Sequence, residues 1–286
     1  MNIHINGKAA NITLDTEKTL GDVLSGIEYW ISSSGNRIRE ISADGEVLDP
    51  DTLSASFDRD INKIEQLDIA VSAYRELAAE ALCSLLFACR SYADAAFEHR
   101  AQIAEDWKQS SAADFLRTDV FDIYDLAVAV FSGEGLAVQE LPAIIEERLK
   151  EITTPSEEIA ACEALVKTVA ARMEALSLDM QTGKDQKAAE TIQHFSKTAQ
   201  KLFRIFFILE SEGFTSDNES RIFSVDDLAV KDFMREFNSA LTEISAAYES
   251  NDTVLVGDLS EYELAPRLLK FFYALKNFFT PPPSLS

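Results

Sequence analysis

The chain has 286 residues, 47% of them hydrophobic, with 49 acidic against 26 basic side chains and a formal net charge of −23. That length predicts about two domains, and the hydrophobic share excludes wholesale disorder. No Lys/Arg cluster offers the positive surface that nucleic acid or an anionic membrane needs, so neither is an expected partner. The sequence holds no run of ~18 apolar residues, so no membrane-spanning helix is expected. It opens on strand-like residues instead of a basic leader and apolar core, so no secretory signal is expected. Cys83, Cys89 and Cys162 sit in apolar helical stretches at spacings that match no zinc pattern. They read as reduced core thiols, which suggests a cytoplasmic protein.

The first 73 residues alternate like strands. Ile3-His4-Ile5, the Asn6-Gly7 step and Ile12-Thr13-Leu14 predict a hairpin, because an Asn-Gly turn tolerates the positive φ that such turns need. Thr19 is the expected helix N-cap with Asp22 three residues on, and Leu20, Val23, Leu24, Ile27 and Ile31 recur at helical spacing. Gly35 stops that helix. Residues 37–43 form a strand-like run, Asp44-Gly45 is a second tight turn, and Val47-Leu48 starts the return. A long connection from Asp49 to Glu65 with a short helical turn then leads to a last strand, Gln66 to Ala73, with Leu67, Ile69 and Val71 on one face. The expected shared core is Ile3, Ile5, Leu14, Val23, Ile27, Ile41, Leu67 and Ile69.

This order resembles the ubiquitin-like β-grasp family. The local wording agrees at Ile12-Thr13-Leu14-Asp15, at Ala43-Asp44-Gly45-Glu46-Val47-Leu48 and at Thr52-Leu53-Ser54. The resemblance implies a five-stranded roll around one helix over residues 1–73. It implies no conjugation or sulfur-carrier chemistry, because the final strand runs through Ser72-Ala73-Tyr74 into a helix where ubiquitin has a free diglycine tail. The central position of ubiquitin's apolar binding patch falls on the polar Ser42.

Residues 74–286 read as an all-helical domain. A first helix is expected from Ala73 to Lys108 with the stripe Tyr74, Ala78, Ala81, Leu85, Ala88, Tyr92, Ala95 and His99. A second spans Ala112 to Phe131, and a third starts near Leu141-Pro142 and ends before Thr154-Pro155. Ser156 then caps a long helix whose stripe is Ile159, Cys162, Val166, Val169, Met173, Leu176 and Met180. After a break at Thr182–Asp185, the return stripe is Ala188, Ile192, Phe195, Ala199, Leu202, Phe206 and Leu209. These threes and fours predict an antiparallel hairpin over about 156–211. A polar loop at Glu212 to Arg221 precedes a second hairpin over about 226–279. Its stripes are Val230, Met234, Phe237, Leu241, Ile244 and Tyr248, then Leu264, Leu268, Phe271, Leu275 and Phe278. The likeness of KLFRIFFIL (201–209) to RLLKFFYAL (267–275) admits a distant duplication, and parallel packing demands explain it equally well.

No motif for catalysis emerges. His194 follows Glu190 by four residues, but three histidines in all and no Glu-x-x-His pair do not make a carboxylate-bridged metal site. His99 ends an apolar stripe and reads as a core-edge histidine. No nucleophile elbow and no phosphate-binding loop occur. No metal, no cofactor and no enzymatic activity are expected.

One stretch stands apart. Val254-Leu255-Val256 reads as extended, and Asp258 to Pro266 opens a last helix carrying Phe271, Phe272, Tyr273, Phe278 and Phe279. Apolar on more than one stripe, that helix is either the centre of the bundle or has one face kept for a second chain. Phe271, Phe272, Phe278 and Phe279 are therefore the candidate partner-binding residues, with Phe272 and Phe279 expected on the solvent side, and the Pro281-Pro282-Pro283 tail expected to lie extended. The expected function is a non-catalytic, cytoplasmic interaction protein, an adaptor or scaffold that binds a protein partner and forms a homodimer. The alternatives are an acidic helical chaperone for a secreted or aggregation-prone client, and an enzyme with an unrecognised bundle-core site.

Overall fold

The computed structural model describes residues 1–14, 16–48, 53–211 and 223–279. The expected features at Asp15, at 49–52, in the polar loop 212–221 and in the proline tail lie outside the described residues. The chain divides into two compact units, Met1–Leu149 with Glu210–Gly213, and Lys150–Leu209 with Phe214–Ser286. Sheet gives way to helix at Ala73/Tyr74, where the sequence puts the switch, while the first helices pack into the same unit as the sheet.

In the first unit, β1 (Asn2–Ile5), β2 (Lys8–Ala9), β3 (Asn36–Ala43), β4 (Glu46–Val47) and β5 (Gln66–Ala73) make a mixed sheet in the order β2-β1-β5-β3-β4. The first and last strands pair in parallel, Ile3 opposite Leu67 and Ile5 opposite Ile69; all other pairings are antiparallel. Both tight turns take the left-handed backbone expected of them, at Asn6-Gly7 and Asp44-Gly45. Helix α1 (Leu20–Ser33) is held by a full capping box. Thr19 accepts the N–H of Asp22 at 3.2 Å, and the Asp22 carboxylate accepts the N–H of Thr19 at 3.0 Å. A further N–H, from Lys18, reaches the same carboxylate. These backbone donors hold Asp22 below its ordinary pKa.

The α1 stripe Leu20, Val23, Leu24, Ile27 and Ile31 is buried against Ile3, Ile41, Leu67 and Ile69. Two expected core residues, Ile5 and Leu14, are only half-buried. The reason is the second strand, which is two residues long. Beyond Ala10, whose N–H reaches the carbonyl of Ile3, the chain leaves the sheet, so Ile12-Thr13-Leu14 is not a strand. The connection after β4 carries α2 (Leu53–Ser56) and a 3₁₀ turn (Ile61–Lys63), with Ile61 and Ile64 buried.

Helices α3 (Tyr74–Asp94), α4 (Phe97–Lys108), α5 (Ser111–Asp119), α6 (Phe121–Phe131) and α7 (Leu141–Thr153) follow. The expected first helix is thus two. Ala95 and Ala96 are extended, α4 restarts with a different phase, and His99 is exposed, not at the core edge. The expected second helix also breaks, at Val120. Small residues on α3, Ala78 and Ala81, let α5 approach closely. Arg37 on β3 ties sheet to helices. Its guanidinium lies 3.4 Å from Asp119 and 5.3 Å from the centre of the Tyr74 ring, and burial raises the Tyr74 pKa.

In the second unit, the expected helix from Ser156 is three short helices, α8 (Pro155–Ala161), α9 (Glu163–Glu174) and α10 (Leu176–Gln181). Thr154 takes the cap position, and Pro155 fills the first turn. The kinks at Cys162 and Ala175 stay in the helical backbone region, so the stripe from Ile159 to Met180 is buried as expected. Gly183 turns the chain at φ 72° into α11 (Asp185–Ser211), whose Ala188, Phe195, Ala199, Leu202, Phe206 and Leu209 join the same core.

A small hairpin, β6 (Ser224–Val225) and β7 (Leu228–Ala229), then leads into α12 (Val230–Glu249). Its buried face is Phe233, Phe237, Ala240, Ile244 and Ala247, rotated by about one residue from the expected stripe, so that Val230, Met234, Leu241 and Tyr248 flank it. After Asn251 in the left-handed region come α13 (Thr253–Asp258), a π-helical turn (Leu259–Leu264) and α14 (Ala265–Phe279). Val254-Leu255-Val256 is therefore helical, not extended. The backbone of α14 approaches α8 and α9 closely, and Lys276 reaches Glu163 of α9 at 2.6 Å.

Candidate functional site

The aromatic end of the chain is mostly interior. Phe271 is 1% exposed, ringed by Phe203 at 4.8 Å, Phe233 at 5.6 Å, and Phe206 and Phe223 at 6.0 Å. Phe272, expected toward solvent, is fully buried. Residues 268, 271, 272 and 275 fall within about 100° of the helix circumference, one broad buried face that takes in Phe272, while Lys270, Tyr273 and Asn277 on the opposite face are exposed. Phe278 and Phe279 are half-buried at the rim, each packed on Phe223. The four phenylalanines therefore do not share one surface.

The π-helical turn precedes Pro266. Proline has no N–H to donate, and its ring crowds the carbonyl one turn back, which a wider turn relieves. Ala265 closes the turn by donating to the Ser260 carbonyl, and the buried Ser260 hydroxyl donates to Gly257 at 3.0 Å. Gly257 is where α13 meets α10: a Cβ there would come within 2.9 Å of the Ser177 Cβ. Tyr262 points outward, its pKa raised by a hydrogen bond with Glu261, and Arg267 pairs with Glu263 and Glu236. These groups do not converge on a common point.

The other titratable candidates are also spread apart. His194 and Glu190 are exposed, and Glu190 accepts from Gln186 at 3.0 Å. Cys83 is exposed, against the expectation of a core thiol; Cys89 and Cys162 are buried, and burial pushes the Cys89 thiol up to about 12. Glu163 accepts from Lys167 at 2.7 Å and Lys276 at 2.6 Å, which lowers its pKa to about 2. Glu151, 1% exposed, receives both arms of Arg204 at 2.7 and 2.8 Å. Among the described residues no three His, Cys, Asp or Glu side chains gather as a metal site.

A concave surface does exist on the first unit. The segment Ala10–Leu14 swings away from β1 and stands off α1, leaving a groove of about 510 Å³. Ile5, Ala10, Ile12 and Leu14 line one wall; Val23, Gly26, Ile27 and Trp30 line the other. Trp30 is 57% exposed and its neighbour Tyr29 is 81% exposed. Gly26 is open to the groove, because a Cβ there would touch nothing within 4 Å. Packing inside this chain does not call for that glycine, although in mid-helix it costs about 1 kcal/mol relative to Ala. Trp30 could have been found from sequence. It sits off the buried stripe of α1, beside Tyr29, on a face that a lone helix would keep polar.

Comparison with known proteins gives these surfaces relatives but no activity. Residues 1–73, the whole sheet module, match the family model of the TP0873 N-terminal domain. Residues 157–272 match a domain of unknown function, DUF8042. An uncharacterized protein of Treponema pallidum (strain Nichols) is 24% identical over 266 residues, covering 93% of this chain and 92% of its own. The likeness thus runs through both units. No solved structure matches. No helix among the described residues is long and apolar enough to cross a membrane.

Proposed function

We propose that residues 1–73 form a ubiquitin-like β-grasp and that the chain is a cytoplasmic, non-catalytic interaction protein, an adaptor or scaffold that holds a protein partner in the groove between Ala10–Leu14 and α1. The strand order β2-β1-β5-β3-β4 around one helix, with first and last strands parallel, supports the β-grasp reading. The observation that carries the function is the groove itself: an apolar cleft with an exposed tryptophan on its lip, of the kind that anchors partner side chains. The test is selection of displayed random peptides against the full chain. Peptides with an apolar centre are expected to enrich, and to bind about tenfold or more weakly to a Trp30→Ser variant, while Phe87→Ser leaves binding unchanged. An empty selection, or binding indifferent to Trp30, would reject the reading.

Self-association now rests on Phe278 and Phe279 alone, because Phe271 and Phe272 belong to the core. Light scattering of the wild type and of Phe279→Ser, at micromolar concentration, decides it; a monomer in both removes the homodimer. A chaperone for an aggregation-prone client is the second reading. It is favoured by Phe87, Phe97 and Phe121, which are 74%, 85% and 66% exposed on the helices of the first unit. Suppression of client aggregation that is lost on changing these three to Ser would support it over the groove.

A further inference from the structure

We infer that the occupant of the groove is an extended segment of a partner protein, alternating β-branched side chains with polar ones and followed by basic residues, which adds as a strand alongside Ala10–Leu14. The inference rests on the proposed role of the groove and adds the chemistry of what fills it.

Three features of the molecule specify this occupant. The first is the main chain of 10–14. Its sequence alternates like a strand, yet among the described residues the N–H groups of Asn11, Thr13 and Leu14 meet no acceptor, and the Ile12 N–H only folds back on Ala10. Such a segment can take the hydrogen bonds of an added strand and give up at most the Ile12–Ala10 bond. The second is the apolar lining, Ile12 and Leu14 on one wall and Ile27 and Trp30 on the other beside the open Gly26, which suits the inward side chains of an extended chain, two residues apart. The third is charge. Glu17 and Asp22 line the groove and continue into an adjoining depression that Asp58 also lines. The backbone donors on Asp22 keep it ionised. Lys18 beside Asp22 offsets only part of this, so one end of the groove is acidic and complements a cationic flank.

The test uses the full chain and three labelled peptides, each of six alternating Val and Thr residues, followed by three Lys, three Glu or three Ser. Binding is read by fluorescence anisotropy, and placement by hydrogen exchange. The Lys peptide is expected to bind about tenfold more tightly than the Ser peptide at low salt, an advantage that shrinks as ionic strength rises. The same advantage should fall in a Glu17→Gln/Asp58→Asn double variant, which leaves the capping Asp22 in place. Binding should slow exchange at 11–14, and Gly26→Leu, which fills the groove from a good helix former, should abolish it.

If all three peptides bind alike and Trp30→Ser weakens all of them, the basic occupant is wrong and the groove stands. If none binds while selection still yields Trp30-dependent peptides, the strand-like occupant is wrong and the interaction reading survives. Binding that ignores both Gly26→Leu and Trp30→Ser, or leaves exchange at 11–14 unchanged, overturns strand addition here.

Discussion

The groove beside α1 and the aromatic run of α14 are both apolar stretches of the same chain, with opposite fates. Phe271 and Phe272 are closed in by α8, α9, α11 and α12, whereas Ile12 and Trp30 face solvent. The difference is the number of neighbours each element has within its own unit. A broad apolar helix face met by several neighbouring helices is closed off from solvent across its whole width. A helix lying on one face of a sheet has only one side covered, so apolar residues on the other side stay available to a partner. Hydrophobic content alone does not distinguish the two; placement does.

Substitution within the α14 core should matter most. Phe271→Ala should cost about 3–5 kcal/mol in denaturant unfolding, as a large-to-small change among packed rings. A cost like that of a surface site would mean that Phe271 is not packed in the core. Arg204→Ala comes next, at about 3 kcal/mol, because it takes away both arms that hold the buried Glu151 carboxylate; thermal melting measures it. Thr19→Ala should cost about 1 kcal/mol by removing the cap that orients the groove's helix. Gly26→Ala should stabilise by about 0.5–1 kcal/mol, because the site is helical and empty. A loss of stability there would show that the groove has no room for a side chain at Gly26. Trp30→Ser should move stability by about 0.5 kcal/mol or less, as surface changes do.

Acid probes the second unit separately. Glu163 has its pKa lowered in the folded state from the ordinary 4.5 to about 2. The unfolded chain therefore takes up that proton first. The contribution of Glu163 is present in full above 4.5 and is lost as pH falls toward about 2. Denaturant midpoints through that window should fall less steeply in Glu163→Gln than in the wild type.

Much of the fold could be read where local chemistry decides it. The Thr19 cap, the stop at Gly35, the turns at Asn6-Gly7 and Asp44-Gly45, and the stripe from Ile159 to Met180 each follow from residue type and spacing. What escaped was decided by packing. Nothing at Ala95-Ala96 marks a helix break, since alanine favours helix, and Val120 is equally plain. Ile12-Thr13-Leu14 alternates as a strand should, but alternation does not make a neighbouring strand reach that far. Phe272 sits at the edge of the Leu268, Phe271 and Leu275 stripe, so a narrow seam leaves it out and the broad buried face of α14 takes it in. The groove was invisible for the same reason that it is open: it lies where an expected pairing stops.

The π-helical turn before α14 also sets rotational phase. Across Val256, Ser260, Leu264 and Leu268 the buried positions advance by fours, all four facing the core. Twelve residues of plain α-helix at about 100° each would overshoot three turns by about 120°. The wide turn absorbs that excess, so that α13 and α14 present one continuous inner face. Deleting a single residue from Leu259–Leu264 would leave every side chain chemically unchanged, yet turn Phe271 and Phe272 by about 100° relative to Gly257. The turn thus acts as a fixed angular offset, setting which ring on α14 points inward once Gly257 has docked on Ser177.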